Sequence, residues 1–348
     1  MVPSLAQVIE DPDWICFGLN PDDMSLHFAH VVEEAMEENV FLSHHRLESA
    51  PSASFALSAV AETMVGTSIA SAPRFVLHTA FCCSTLLARC LNAPGRVKAL
   101  RELPVFSGLA PVREALLSRG DEAVWPLLVR ITGQLASRPF SSGAVAINKP
   151  GNVFLPVSAD FLRIHTSMRA VVIHSDLPSF LASCVKKQSA GVAPWLQMYA
   201  ALDPNGSYCK GLGIDPASAS ALQLACVIWN LQMELLLGLE GFRDRVVRIE
   251  STAFLSAPVN VVSNTHAWLG VTVDEETSAS VIAHEMSRHS KKPDLAYGPE
   301  RRAAEASLVA QHFGADIEAA MRWNIGHFGQ WHRHYEAFFK AIPALGAA

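Results

Sequence analysis

Short apolar runs rich in β-branched residues alternate along the chain with longer stretches of helical periodicity. Five such runs are predicted to be strands, at residues 74–78, 96–100, 144–148, 168–174 and 245–250. Helical patterns follow most of them, at residues 85–92, 178–187, 217–239 and 257–269. Strands separated by helices predict an α/β fold with a doubly wound, mostly parallel sheet flanked by helices. Ligands of such sheets bind at the carboxyl ends of the strands, so the residues after each strand are the first candidates.

The two ends of the chain differ from this alternating middle part. Residues 1–72, with a predicted helix at 26–38, are expected to form an N-terminal extension packed on a main domain of residues 73–298. Residues 299–348 are predicted to be helices of that same domain, with aromatic side chains at the spacing typical of a packed core. The pair His44–His45 lacks a third residue at metal-ligand spacing and does not indicate a metal site.

The composition excludes several classes of protein. Half of the 348 residues are hydrophobic and 17% are charged, which is typical of a folded globular chain. Polar residues interrupt the apolar stretch 221–239, a pattern that favours a buried helix over a membrane span. A net charge of −6 argues against a nucleic-acid-binding protein. Seven cysteines without regular spacing, and the lack of a visible secretory signal, predict a protein of the reducing cytoplasm.

The segment FVLHTAFCCSTLLARCL, which begins at Phe75, has the order strand, tight loop and helix start. Such a loop can bind an anion because the first backbone N–H groups of a helix have no partner within the helix. Ser84 and Thr85 add two hydroxyl groups, and both residue types suit an N-cap. The loop has neither the glycine nor the lysine that phosphate-binding loops usually carry, so an ordinary capped turn is the alternative.

Read without gaps, HTAFCCSTLL resembles the 5′-phosphosulfate loop of the sulfotransferase family, whose pattern is roughly G-x-P-R-S-G-T-T-L-L. Ser84 and Thr85 stand at its two threonines, Cys82 at its serine and Cys83 at its glycine. Phe81 replaces the arginine or lysine that contacts the sulfuryl group in many members. The resemblance implies a P-loop fold of the sulfotransferase type, in a divergent bacterial member, with these four matching residues at the nucleotide.

Two later positions resemble the catalytic positions of the same family. Glu102 stands where tyrosylprotein-type members carry their catalytic glutamate, and a carboxylate there can take the proton of an attacking hydroxyl. Lys149 stands in the Lys/Thr-Pro pair at a strand end, and we expect it to supply the positive charge missing at Phe81. A solvated carboxylate and a surface lysine are the alternative interpretations.

The segment IHSDLPSFLASCVKK resembles the part of the family that holds the 3′-phosphate of the nucleotide. Ser183 matches the family serine, whereas Ser175 stands where the family has an arginine. His174 or the pair Lys186–Lys187 would have to compensate for that lost charge. A helix start with a buried Ser183 is the alternative.

Residues 287–297, SRHSKKPDLAY, are predicted to be a loop and resemble the S-K-x-P segment that closes over the nucleotide in bacterial members. The resemblance implies that Lys291 and Lys292 contact the nucleotide. The region is the densest basic stretch of an acidic protein, with Arg288, Lys291, Lys292, Arg301 and Arg302. A solvated charged loop is the alternative.

The resemblance implies transfer of a sulfuryl group from 3′-phosphoadenosine 5′-phosphosulfate to a hydroxyl or amine of an acceptor that the sequence does not identify. No metal is expected, since such transfer depends on positioning and electrostatics. A kinase or nucleotide hydrolase is one alternative, against which stands the absence of a GK[ST] motif. A non-catalytic nucleotide-binding protein of the same fold is the other, because both family arginines are missing. The sequence predicts no nucleic-acid partner and does not indicate the oligomeric state.

Overall fold

The structure, a computed structural model, describes residues 3–32, 42, 50–65, 71–186, 191–329 and 331–345. Its N-terminal part is a small antiparallel sheet in the order β1-β2-β3, flanked by two helices. The bounds are helix Leu5–Glu10, β1 Trp14–Asn20, β2 Ser25–His30, β3 Ser52–Ala56 and helix Leu57–Met64.

The strand β2 corrects the predicted helix at residues 26–38. Leu26 and Phe28, two positions apart, are fully buried, which is the period of a strand rather than of a helix. β2 also pairs with β1 on one side and β3 on the other, and these inter-strand hydrogen bonds outweigh local helix propensity. Residues 33–38 and the pair His44–His45 lie outside the described residues.

The central sheet has five parallel strands, each within one residue of its predicted bounds. These are β4 Arg74–His78, β5 Val97–Arg101, β6 Val145–Lys149, β7 Arg169–His174 and β8 Val246–Glu250. Their order across the sheet is β5-β6-β4-β7-β8. Phe75 and Leu77 pack into one hydrophobic core and Val76 into another, so β4 is buried on both faces. The predicted α/β fold with a doubly wound parallel sheet is confirmed.

Helices cover both faces of this sheet. The helix predicted at 217–239 begins at Ala221, because Ser220 accepts from the backbone N–H of Gln223 and forms a capping box with it. That helix packs among other helices, as its polar interruptions predicted. All seven cysteines of the chain are free. The helices are Ser84–Cys90, Pro104–Arg119, Val124–Leu135, Leu155–Ile164, Leu177–Val185, Ala193–Leu202, Ser207–Leu212, Ala221–Leu237, Ser251–Ser256, Pro258–Trp268 and Glu275–Met286, with 3₁₀ turns at Asn152–Phe154 and Glu240–Phe242.

The chain ends with a short hairpin and two helices. The hairpin consists of β9 Arg288–His289 and β10 Lys292–Ala296, and it is followed by helices Pro299–Phe328 and Trp331–Ala341. It corrects the predicted loop at 287–297, since Tyr297 N–H donates to the Ser287 carbonyl at 2.8 Å and closes the pair of strands. Among the described residues, no helix has both the length and the apolar character needed to cross a membrane.

Candidate anion-binding and catalytic site

The loop after β4 (residues 79–83) lies at the switch point of the central sheet. The chain runs from β4 to β5 and β6 on one side, then crosses to β7 and β8 on the other. The crevice at the carboxyl end of β4 is therefore the place where sheets of this kind bind ligands. Thr79 N–H donates to the Ile173 carbonyl at 3.2 Å, and Ala80 N–H donates to Oε1 of Gln232 at 2.7 Å. These two bonds fix the start of the loop.

The backbone of the loop takes the conformation that glycine usually provides. Phe81 has φ = 56° and Cys83 has φ = 65°, both in the left-handed region. That region costs a non-glycine residue roughly 1–2 kcal/mol and is found preferentially at functional sites. Cys83 is the N-cap of helix Ser84–Cys90, and its carbonyl accepts from Leu87 N–H at 3.0 Å. The loop thus has a glycine-type path without a glycine.

The loop side chains point into the protein. The Phe81 ring packs against Phe180 and Trp195, with centroids 5.7 and 5.8 Å away, so it belongs to an aromatic cluster. Ser84 and Thr85 are only 6% and 5% exposed. Both hydroxyl-bearing residues at the helix tip are therefore buried.

Three cations from three different segments act on Cys83. The pKa of its thiol is raised to about 11, because burial and then Cys82 raise it by more than the charges of Arg302, Lys186 and Lys291 lower it. Lys186 follows helix Leu177–Val185, Lys291 lies in the turn of the hairpin, and Arg302 is in the first turn of helix Pro299–Phe328. Positive charge therefore converges on the loop that lacks a lysine of its own.

A hydrogen-bonded network holds two of these cations. Nζ of Lys186 donates to Oε2 of Glu305 at 2.9 Å, and the Tyr297 hydroxyl donates to the same oxygen at 2.7 Å. Nη1 of Arg302 donates to the Tyr297 carbonyl at 3.1 Å. Lys292 begins β10, and its backbone N–H donates to Nδ1 of His289 at 3.1 Å.

Glu102 and Lys149, predicted from separate segments, meet as an ion pair. β5 and β6 are neighbours with Arg101 opposite Lys149, so Glu102 directly follows the last paired position. Nζ of Lys149 donates to Oε1 of Glu102, and Glu102 N–H donates to the Lys149 carbonyl at 2.7 Å. Lys149 is buried at the strand end, which overturns the alternative of a surface lysine.

Burial and mutual attraction oppose each other within this pair. Burial lowers the pKa of Lys149 and outweighs the opposing effect of Glu102. Burial works to raise the pKa of Glu102, but the charge and hydrogen bond of Lys149 outweigh it, and the net pKa is lowered. The charge of Lys291 acts on Glu102, on Lys149 and on Cys83, so the ion pair and the loop form one electrostatic site.

A buried histidine and a buried thiol complete the surroundings of the ion pair. Burial, helped by the charge of Lys149, lowers the pKa of His78 to about 3. Its Nδ1 and Nε2 face the Thr79 and Pro150 carbonyls at 2.8 and 2.9 Å. Sγ of Cys82 donates to the Thr79 carbonyl at 2.9 Å, and burial raises the pKa of this thiol. The Cys82 thiol is therefore uncharged at neutral pH.

The residues after β7 that resemble the 3′-phosphate segment differ in their relation to the loop after β4. Oγ of Ser175 is buried without a hydrogen-bond partner among the described residues. Oγ of Ser183 donates within its own helix, to the Ser179 carbonyl at 3.1 Å. His174 is enclosed by the rings of the last helix, whereas the charge of Lys186 acts on Cys83 in the loop. Lys187 lies outside the described residues.

Cavities lined by described residues lie away from the helix tip. One of 540 Å³ lies at the start of helix Ala221–Leu237 beside Trp323, and another of 380 Å³ lies beside Arg89 and Arg101.

The sequence did not indicate a role for Gln232, whose side chain positions Ala80 through a hydrogen bond. Its signal was a polar residue in the middle of an apolar helix.

The comparisons with known proteins find similarity only among solved structures. No family model matches the chain, and none of the curated proteins matches it. The sulfotransferase domain from the curacin biosynthetic pathway is 12% identical with a TM-score of 0.38, and the match covers 70% of this chain and 98% of that domain. The sulfotransferase domain from the Synechococcus PCC 7002 olefin synthase is 14% identical with a TM-score of 0.40, over 70% and 94% of the two chains.

A sulfotransferase from Mycobacterium tuberculosis is 12% identical with a TM-score of 0.36, over 74% of this chain and 81% of that chain. These are sulfotransferase structures, the family that the sequence motifs resemble.

Proposed function

We propose that this chain is a sulfotransferase-type enzyme, which transfers a sulfuryl group from 3′-phosphoadenosine 5′-phosphosulfate to a hydroxyl or amine of an acceptor. One observation carries the proposal: Lys186, Lys291 and Arg302 converge on the left-handed Cys83 at the switch point of the sheet. The donor has two anionic groups, and positive charge from several segments suits it better than a single lysine would.

The loop and the cations bind different parts of the donor. The backbone of the loop, with the hydroxyls of Ser84 and Thr85, holds the 5′-phosphosulfate. Lys186 and Arg302 take over the charge of the arginine that Ser175 replaces. The buried hydroxyl of Ser175, without a partner among the described residues, is a further group that could bind the nucleotide. The hairpin carries Lys291 over the transferring group, and its opening admits the donor.

The chemistry forms one bond to sulfur and breaks another. The acceptor oxygen or nitrogen attacks sulfur, the bond from sulfur to the 5′-phosphate oxygen breaks, and adenosine 3′,5′-bisphosphate leaves. The acceptor proton passes to the carboxylate of Glu102. Lys149 and Lys291 stabilise the negative charge that develops on the leaving oxygen.

The ion pair also gives Glu102 a way to become a base. In the free protein, Lys149 lowers the pKa of Glu102 and so weakens its basicity. An incoming phosphosulfate competes for Nζ of Lys149. As that contact shifts to the donor, burial raises the pKa of Glu102 and prepares it to accept the proton.

The same ion pair favours a second candidate, a nucleotide-binding protein without turnover. If Lys149 stays on Glu102 when the nucleotide is bound, Glu102 remains a weak base and the chemistry does not proceed. The loop and its cations serve this candidate equally well, so binding alone does not separate the two.

Calorimetry with adenosine 3′,5′-bisphosphate and the full chain tests both candidates. We expect saturable binding with one site, independent of magnesium. Transfer of labelled sulfate from the donor to a panel of phenols, alcohols and amines then supports the enzyme, while binding without transfer to any of them supports the second candidate. No binding of the bisphosphate, together with magnesium-dependent binding of ATP, would refute both.

A further inference from the structure

Three side chains that commonly bind metals meet at the edge of the N-terminal sheet. One ligand atom from each of Asp11, Asp13 and His30 lies within 4.8 Å of the other two. Nε2 of His30 is 3.5 Å from Oδ2 of Asp11. None of the three belongs to the site around the β4 loop. Their chemistry is therefore independent of the proposed sulfuryl transfer, for which no metal is expected.

Backbone hydrogen bonds hold the three residues in place. Asp11 caps the end of helix Leu5–Glu10, where its N–H donates to the Gln7 carbonyl at 3.0 Å. His30 ends β2 opposite Trp14, and its N–H donates to the Pro51 carbonyl at 2.8 Å. The carbonyl of Asp13 accepts from Val31 N–H at 2.9 Å. The turn and the strand end thus present their side chains to one point.

The distance between the ligand atoms of His30 and Asp11 suits a small cation. Zinc binds imidazole nitrogen and carboxylate oxygen at about 2.0–2.2 Å, which puts tetrahedral ligand atoms roughly 3.4 Å apart. The distance of 3.5 Å between Nε2 of His30 and Oδ2 of Asp11 is close to this separation of tetrahedral ligand atoms. The side chains of this pair are 32% and 41% exposed, so an ion can enter from solvent and keep a water ligand.

We propose that Asp11, Asp13 and His30 form a site for a divalent transition-metal ion of the zinc type. Two carboxylates and a neutral imidazole balance the charge of such an ion. The imidazole ligand selects against magnesium and calcium, which prefer oxygen ligands alone. The bound ion ties the end of the first helix to the ends of β1 and β2.

The role of the ion follows from what surrounds it. Oγ of Ser141 donates to Oδ1 of Asp13 at 3.1 Å, and Nη1 of Arg138 donates to the Val8 and Ile9 carbonyls at 3.0 and 2.9 Å. Residues of the main domain therefore already contact this corner. A metal ion there stabilises the packing of the N-terminal sheet against that domain.

Calorimetric titration of the EDTA-treated full chain with zinc chloride, under reducing conditions, tests the site. We expect one equivalent to bind, and the melting temperature to rise with the zinc concentration. Asp13→Asn and His30→Gln should each weaken binding by at least about tenfold. His27→Gln, on the same strand but outside the cluster, is the matched control and should bind as the native chain does.

Cobalt absorption separates this site from adventitious binding at cysteine. Nitrogen and oxygen ligation gives d–d bands without thiolate charge-transfer absorption, and that spectrum is expected. Thiolate absorption, or zinc binding unchanged by both substitutions, would overturn the proposal. Circular dichroism establishes that each variant is folded. The part-exposed His30→Gln provides the test should Asp13→Asn fail to fold.

Discussion

Glu102 and Lys149 are bonded to each other through both backbone and side chain, yet they differ sharply in exposure. Glu102 N–H donates to the Lys149 carbonyl at 2.7 Å, and Lys149 Nζ returns a hydrogen bond to the Glu102 carboxylate. The Lys149 side chain is 1% exposed and that of Glu102 is 34% exposed. Removing the Glu102 carboxylate therefore leaves a buried cation at Lys149. Removing the Lys149 ammonium leaves the Glu102 carboxylate, which water can reach.

This difference predicts unequal costs for the two single substitutions. Glu102→Gln leaves Lys149 buried beside a neutral amide, and we expect a loss of about 3–5 kcal/mol in the free energy of unfolding. Lys149→Met keeps an apolar side chain in the same space and leaves Glu102 partly hydrated, so a loss of about 1–2 kcal/mol is expected. Urea denaturation at neutral pH measures both.

The double variant provides the control for this comparison. With both charges absent, Glu102→Gln/Lys149→Met should be more stable than Glu102→Gln alone, because no buried charge remains. Equal costs for the two single substitutions would contradict the burial difference on which the prediction depends.

The left-handed backbone of Cys83 predicts that glycine stabilises the loop. Cys83→Gly relieves the cost of φ = 65°, whereas Cys83→Ala keeps the Cβ atom and its strain. We expect the glycine variant to unfold with a free energy about 0.5–1 kcal/mol higher than that of the alanine variant. Cys90→Gly, inside the following helix, is the opposite control and should destabilise. A glycine variant less stable than the alanine variant would exclude strain at this position.

Arg302 and Arg301 are adjacent and both lie 5.9 Å from the centre of the Tyr297 ring, but their hydrogen bonds differ, so they form a matched pair for nucleotide binding. Arg302 acts on Cys83, while Arg301 contacts the Ala296 carbonyl and Glu305. Arg302→Ala should weaken binding of adenosine 3′,5′-bisphosphate by about tenfold or more, the loss of one charge-assisted contact. Arg301→Ala changes the net charge equally and should change affinity much less. If calorimetry shows similar losses of affinity for the two variants, the overall positive charge of this region determines binding and a specific contact of Arg302 does not.

The sequence predicted the central sheet because each strand is apolar on both faces. Runs such as the one at Arg74–His78 differ from all flanking sequence, so their bounds needed no knowledge of distant contacts. The strand Ser25–His30 was predicted as helix because its two partner strands, which decide its conformation, are distant in sequence or weakly patterned. The hairpin at residues 288–296 was missed because β9 has only two residues and neither strand shows an apolar alternation.

The sequence predicted single residues of the candidate site, but it did not predict which of them contact each other. Glu102 and Lys149 could each be proposed from a strand end, and the register of β5 with β6 then decides that they meet. The approach of Arg302 to Cys83 depends on how the last helices pack on the sheet, which no local pattern encodes. Gln232 was seen as an interruption of an apolar helix, and its partner, Ala80, is known only from the fold.

His174 predicts how stability depends on pH. It is fully buried among the rings of the last helix, with no partner for either ring nitrogen among the described residues. Burial, helped by the charge of Arg248, lowers its pKa to about 3. Between that value and the ordinary pKa of about 6.5, the unfolded chain binds a proton that the folded chain does not. The contribution to stability is therefore complete above pH 6.5 and falls as the pH decreases.

The substitution His174→Leu should remove this pH dependence. From pH 7 to pH 5 the native chain should lose about 2 kcal/mol through this histidine, and the leucine variant should lose that much less. Phe338→Leu, in the same cluster, is the control: it should lower stability at every pH while keeping the native slope. Urea midpoints at the two pH values measure the difference. An unchanged slope in His174→Leu would contradict this prediction, because it would mean that His174 has the same pKa in the folded and the unfolded chain.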